Sequence, residues 1–186
     1  MARAQRGRKN AAGFGRRLEA MRALIGYTPA DEALVHATRE IISARADAIA
    51  EAAYAHLLSR PETATFFLNS DGLPDTRYLA ARRKELMAWL ARAMQDPLDD
   101  ELSSYLARVG RAHTKRGGDP NVHVKARYLL ATMSYLQTAL AGRLSAEIPD
   151  GALCAAAIAA WDKLLMLHLD AFLSVYDSAE GTPHWY

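Results

Sequence analysis

The chain has 186 residues, half of them apolar and a quarter charged, which is enough apolar material for one globular domain with a sizeable core and excludes disorder throughout. A single cysteine, Cys154, excludes an intramolecular disulfide and any multi-cysteine zinc or iron–sulfur centre within one chain. Of 23 basic and 21 acidic residues, six basic ones and no acid fall in residues 1–17, which leaves 17 against 21 elsewhere, a net −4.

The basic character therefore belongs to an N-terminal tail, residues 1–17, attached to a mildly acidic domain over 18–178, with a second short tail at 179–186. The basic tail reads as a solvated, mobile arm or as a contact for an anionic surface. Phe14 is its only aromatic, so nucleic acid has little support as a partner. No apolar stretch follows the basic start, and the longest run free of Asp, Glu, Lys and Arg, Tyr128–Gly142, falls short of the ~20 residues of a membrane span. The expected location is the cytoplasm, without a membrane anchor.

Ala, Leu, Arg and Glu dominate and β-branched runs are missing, so the expected fold is all-α. A short helix is predicted over Arg16 to Ile25 with Gly26 as its stop. Thr28 and Pro29 start the next segment, which runs to Ser59 and is long enough for two helices. Pro61 opens a short helical turn through Phe67, and Asn69 to Pro74 is a loop. Asp75 caps a helix to Gln95. Asp96-Pro97 starts another, closed by Gly117-Gly118; Asp119-Pro120 starts a long one to Leu144; Pro149-Asp150 starts the last, to Tyr176.

The six histidines are the first candidates for chemistry. His36 and His56 lie among Ala and polar neighbours and are expected to be exposed. His123 falls in the first turn of the helix predicted from Asp119, and His184 in the C-terminal tail. His113 and His168 lie on apolar helical stripes, where a histidine is usually a hydrogen-bonded core or interface residue and less often a metal ligand. His113 has one further feature. It sits in the last turn of its helix, where Nδ1–H reaches a backbone carbonyl one turn earlier, near Val109, and Nε2 is left to bind a metal. There is no phosphate loop, no His-Glu-x-x-His pair and no paired-carboxylate face; Cys154 reads as a small core residue.

Several segments, taken together, resemble the protoglobins, the single-domain relatives of globin-coupled sensors. Ala53-Tyr54-Ala55-His56-Leu57-Leu58-Ser59-Arg60-Pro61-Glu62 resembles the end of the family's helix B, and Phe66-Phe67 with Ser70 to Pro74 resembles the corner after it. Tyr78 to Lys84 resembles the start of the distal helix. Val109-Gly110-Arg111-Ala112-His113 resembles the Ile/Val-Gly-x-x-His that carries the proximal ligand, and Arg127 to Ala131 resembles the next helix. The region from Trp161 to Lys163 fits the final helix more loosely, and the 59 residues from Tyr54 to His113 suit the family.

The resemblance implies a globin-like helical sandwich with an extra N-terminal helix, holding haem b (iron protoporphyrin IX) and reversibly binding O2, CO or NO. It makes His113 the axial iron ligand, Tyr54 the distal hydrogen-bonding residue and Phe67 the aromatic against the porphyrin. Leu86 becomes the distal wall, and Leu129, Thr132 and Leu136 line the porphyrin's other side. Ala53 stands where protoglobins commonly carry tryptophan, and Leu86 where phenylalanine is often seen; both changes are expected to open the distal side. Arg82, Arg83 and Lys84 are candidate partners for the propionates, although three consecutive residues cannot share one helix face.

The last two helices carry a surplus of apolar residues: Tyr128, Met133, Tyr135, Leu140 and Leu144 on one, Trp161, Leu164, Leu165, His168 and Phe172 on the other. A homodimer packing these helices is the expected explanation, in keeping with the family. The competing readings are a gas sensor signalling through that dimer or through a partner, with no output module expected in this chain, and a non-haem globin-like interaction module, which His113 argues against. A helical DNA-binding protein is disfavoured. No enzymatic role is expected, although the family's iron is also associated with peroxide and carbene-transfer chemistry.

Overall fold

The computed structural model describes residues 15–115, 117 and 123–177. Among them the helix-forming sequence becomes eight α-helices and no strand: α1 (residues 15–25), α2 (Pro29–Ser43), α3 (Ala46–Leu58), α4 (Pro61–Ala64), α5 (Thr76–Gln95), α6 (Asp100–Ala112), α7 (Ala126–Glu147) and α8 (Gly151–Asp177). A 3-10 turn, Thr65–Phe67, follows α4.

Local signals explain most of the boundaries. Gly26 ends α1 at φ +65°, a left-handed conformation that costs glycine little, and lets the Tyr27 N–H reach back to the Arg22 carbonyl at 3.0 Å. The segment from Thr28 to Ser59 is two helices, parted at Ala44-Arg45. Asn69 folds the corner before α5, its Oδ1 accepting from the Asp71 and Leu73 amides while Gly72 takes φ +74°. Asp75 caps α5 by accepting from the Tyr78 amide at 2.9 Å, and Asp150 caps α8 by accepting from the Leu153 amide at 2.8 Å.

Two predicted starts are displaced. The helix expected from Asp96-Pro97 begins at Asp100, because Asp99 is the residue whose carboxylate accepts from the Glu101 and Leu102 amides. The helix expected from Asp119-Pro120 begins at Ala126. Residues 119–122 lie outside the described residues, but His123, Val124 and Lys125 are not helical. Val124 is held instead by long-range bonds: its amide donates to the His113 carbonyl at 2.9 Å, and its carbonyl accepts from the Tyr176 hydroxyl at 2.7 Å. The tail calls on residues 1–14 and 179–186, His184 included, also lie outside the described residues.

The chain divides into two units. One comprises the chain up to Thr28, Asp96–Ala126 and the chain from Lys163 on; the other comprises Pro29–Gln95 and Arg127–Asp162. In the first unit, Gly110 of α6 meets the backbone of α8 so closely that a Cβ there would stand 2.4 Å from the Phe172 carbonyl oxygen. Arg17 and Asp170 form a two-pronged ion pair at 2.7 and 2.9 Å, and the Lys163 ammonium donates to the Gly26 carbonyl. Arg17, counted above with the basic tail, is thus a structural residue of α1.

In the second unit α5 packs on α2 and α3, and α3 also meets α4. Trp161 is buried, and its indole N–H donates to Thr38 Oγ1 at 2.9 Å; that hydroxyl in turn donates to the Leu34 carbonyl. The pair satisfies a polar group that would otherwise be costly in a core.

α8 is long and apolar enough, by length and composition, to cross a membrane. Half of its apolar window is buried inside the protein, and it bears the ion-paired Asp170, as a core helix does. Met133, Leu140, Leu144, Trp161, Leu164, Leu165, His168 and Phe172 are all buried within one chain. Tyr128 and Tyr135, the other two residues of the apolar surplus noted above, are half-buried.

Candidate functional site

His113 is the C-cap residue of α6, at φ −86° and ψ −1°, and its side chain is half-buried. Its Nδ1 lies 2.8 Å from the Val109 carbonyl oxygen, the contact expected from its place in the last turn. A carbonyl only accepts, so Nδ1 carries a proton, and in the neutral ring it is Nε2 that keeps the lone pair. The ring's orientation and tautomer are thereby fixed before any metal binds. The backbone is held as well: the His113 amide donates to the Gly110 carbonyl at 3.1 Å, and its carbonyl takes the Val124 amide. Gly110, the glycine of the Val-Gly-x-x-His pattern, has its own physical reason in the close approach of α8.

The remaining sequence-predicted residues lie in the second unit. Tyr54 of α3 and Phe67 are brought together edge to face, with ring centroids 5.5 Å apart, and Phe67 is 6.2 Å from Tyr78. The Tyr54 hydroxyl donates to the Arg82 backbone carbonyl at 3.2 Å. Burial pushes its pKa up to about 12, against the pull of the Arg82 charge, so it is a protonated donor at any physiological pH. Leu86 is half-buried on α5, one turn beyond Arg82.

On α7, Leu129, Thr132 and Leu136 recur at a spacing that shares one helix face; both leucines are buried, and Thr132 is half-buried. Thr132 turns its hydroxyl back to the Tyr128 carbonyl at 2.7 Å, which leaves its methyl for apolar contact. Ala53, where a tryptophan is common in the family, is buried, at 1% exposed.

Some of the other residues depart from their sequence reading and others keep to it. His36 is exposed, as expected, but His56 is half-buried and stacked on Tyr135, with centroids 4.4 Å apart and planes 19° apart. His123 stands in the connection before α7, its ring 6.1 Å from Tyr176. His168 is fully buried in the core, and burial pushes its pKa down to about 3. Cys154 is buried, with its sulfur 3.7 Å from Ser145 Oγ. Of the propionate candidates, Arg82 pairs with Glu85 at 2.6 Å, Arg83 stands 3.9 Å from Glu51, and Lys84 is exposed. The Thr38–Trp161 bond, the His56–Tyr135 stack and the Arg17–Asp170 pair were not anticipated; each joins residues at least 79 positions apart, and no local pattern announces them.

The donor chemistry suits haem. Among the described residues no three His, Cys, Asp or Glu side chains gather, so no site is built there to enclose a bare ion. A porphyrin brings four nitrogens of its own and asks the protein for one axial imidazole, which the locked His113 ring supplies.

These features, an all-α chain with a preorganised histidine at a helix end and a tyrosine on another helix paired with a phenylalanine in the turn after α4, define a domain of the globin class. The pattern of the protoglobin family matches residues 15–181, and the chain belongs to that family. Membership implies a haem cofactor. Among solved structures, the globin domain of a Geobacter sulfurreducens globin-coupled sensor superposes with a TM-score of 0.67 at 20% identity, covering 85% of this chain and 96% of that one. The globin domain of E. coli DosC is similar in its ferric form (TM-score 0.66, 13% identity, 84% and 97% covered) and in its ferrous form (0.67, 14%, 86% and 99%). At such identities the likeness is one of fold. No curated protein matches the sequence.

Proposed function

We propose that this protein holds haem b through His113 and reversibly binds diatomic gases, O2, CO or NO, at the opposite face. The observation that carries the reading is the His113 ring, held by the Val109 carbonyl at 2.8 Å with Nε2 as its acceptor nitrogen, in a chain of the protoglobin family. The haem would supply an iron with one coordination position left for a ligand. Similar solved structures described as ferric and ferrous forms of the globin domain of E. coli DosC support an iron centre.

Tyr54 acts as the donor to a ligand that has gathered negative charge. To do so its hydroxyl leaves the Arg82 carbonyl, a neutral bond at 3.2 Å. A neutral hydrogen bond is worth a net ~1 kcal/mol and one to a charged partner ~1.5–3 kcal/mol, so the exchange favours a polarised ligand. Phe67 buttresses the Tyr54 ring from its edge, and Leu86, Leu129, Thr132 and Leu136 supply apolar contact to the porphyrin.

The test is an absorption spectrum of the purified protein, as isolated and after reduction under CO. A strong Soret band that shifts with CO is expected, and His113→Ala should lose stable haem while remaining helical. No Soret band, even after haem is added, overturns the proposal and leaves a globin-like interaction module.

A further inference from the structure

Arg82 carries more than its local partners account for. It lies on α5 with Tyr78 one turn before it and Leu86 one turn after, so the three share a stripe. Its backbone carbonyl holds the Tyr54 hydroxyl at 3.2 Å, and its guanidinium carbon lies 5.0 Å from the Tyr78 ring centroid. The guanidinium Nε is buried and finds no acceptor among the described residues. A buried donor of this kind calls for an explanation.

The one acidic contact is easily exchanged. Nη2 pairs with Glu85 at 2.6 Å, but the Glu85 side chain is 62% exposed, and such surface pairs contribute little. Arg83 also has a buried Nε without an acceptor among the described residues, and its charge too is felt at the Tyr54 hydroxyl, but its guanidinium faces Glu51 at 3.9 Å, whereas that of Arg82 lies over the Tyr78 ring. The cluster of Tyr54, Tyr78 and Arg82 therefore offers donors and a positive charge, with Glu85 as an acidic competitor.

We propose that the Arg82 guanidinium, together with the Tyr54 hydroxyl, binds a small monovalent anion on the ligand side of the haem, so that the protein discriminates anionic ligands from neutral ones. The inference rests on the haem reading above. As in the gas-binding reading, the Tyr54 hydroxyl must leave the Arg82 carbonyl to donate to the anion; because that acceptor is backbone, a side-chain substitution at residue 82 leaves it in place and tests the guanidinium.

The experiment uses the full chain loaded with haem. The ferric form is titrated with sodium fluoride and the reduced form with CO, both followed at the Soret band, and the melting temperature of the haem-free protein is measured alongside. Arg82→Gln should weaken fluoride binding about tenfold to a hundredfold, the loss of one charge-assisted contact, while CO affinity stays within about twofold because CO bears no charge. Glu85→Gln should strengthen fluoride binding by releasing the guanidinium, a gain that a merely structural role for Arg82 would not produce. The haem-free Arg82→Gln protein should melt within a few degrees of the parent. Arg82→Met, of similar stem length, serves in the same way if the glutamine variant does not fold.

Fluoride affinity unchanged in these variants overturns the proposal. So does a parallel loss of fluoride and CO binding, which marks general disturbance. Faster loss of haem to a competing acceptor with fluoride affinity intact would also overturn it and make Arg82 a propionate partner. A parent chain that takes up no haem fails at the Soret band itself, which separates the failure of the haem reading from the failure of this one.

Discussion

Gly110 is the residue at which the fold and the candidate ligand meet, and Gly110→Ala tests both. An alanine Cβ would stand 2.4 Å from the Phe172 carbonyl oxygen and 3.0 Å from that residue's Cα and carbonyl carbon. Ordinary contacts begin near 3.5 Å, so about 1 Å must be found. Both parties are helix backbone, and no rotamer change can supply it. Alanine in a helix interior gains ~0.5–1 kcal/mol over glycine. Overpacking of this kind costs ~1–3 kcal/mol. The clash outweighs the propensity, and the net loss is ~1–2 kcal/mol, or ~2–8 °C in melting temperature for a chain of this size. Gly142 is the internal control. It lies within α7, is exposed, and a Cβ there meets nothing within 4 Å, so Gly142→Ala should raise the melting temperature by ~1–4 °C. Thermal unfolding followed by far-UV circular dichroism reads both. Because the Gly110 carbonyl also holds the His113 amide, haem retention should fall in Gly110→Ala and not in Gly142→Ala. If Gly110→Ala melts at or above the parent, the close approach of α6 and α8 is wrong, and with it the reason for the glycine before the ligand.

Three further outcomes are expected. His168 is neutral in the fold, with its pKa near 3 against ~6.5 in the unfolded chain, so the unfolded chain binds one more proton between those values and stability falls as pH drops, by ~1.4 kcal/mol per pH unit. From pH 6.5 to 5, urea unfolding should show the parent losing ~2 kcal/mol more than His168→Gln, and equal losses would refute the buried neutral ring. Tyr54→Phe removes one neutral bond to a carbonyl, so the haem-free protein should lose no more than ~1 kcal/mol, whereas O2 affinity should drop about tenfold to a hundredfold and CO affinity should barely change; equal effects on both gases would refute a donor role. Asp170→Asn breaks a pair whose arginine is over a third exposed, so a loss of no more than ~1 kcal/mol and ~2–4 °C is expected, shrinking further in 1 M salt; a loss that ignores salt would speak against the ion pair.

What the sequence made legible was local. The caps at Asp75 and Asp150, the stop at Gly26 and the Asn69 corner each depend on atoms within a few residues, and so does the Nδ1 contact from His113 to Val109, four positions back. Where two local signals competed, the reading slipped. Asp96-Pro97 and Asp99 are both sound N-caps, and the chain uses Asp99, whose carboxylate reaches two amides, one of them that of the buried Leu102. The apolar surplus of α8 was ambiguous for another reason. Periodicity assumes one buried face, but Leu164, Leu165, Leu167, His168 and Leu169 are all buried, so this stretch of the helix is enclosed by its own chain, although Leu153, Ala155, Ala156 and Ala159 before it are exposed. A helix enclosed in that way looks, in one dimension, the same as a helix awaiting a partner, and only the fold tells the two apart. The same limit governs the ligand side. The backbone acceptor of Tyr54 lies 28 residues away and the ring that carries Arg82's charge lies one turn before it, so the sequence could nominate the tyrosine and the arginine singly. Their joint presentation of donors, on which anion discrimination depends, exists only once α3 and α5 are packed together.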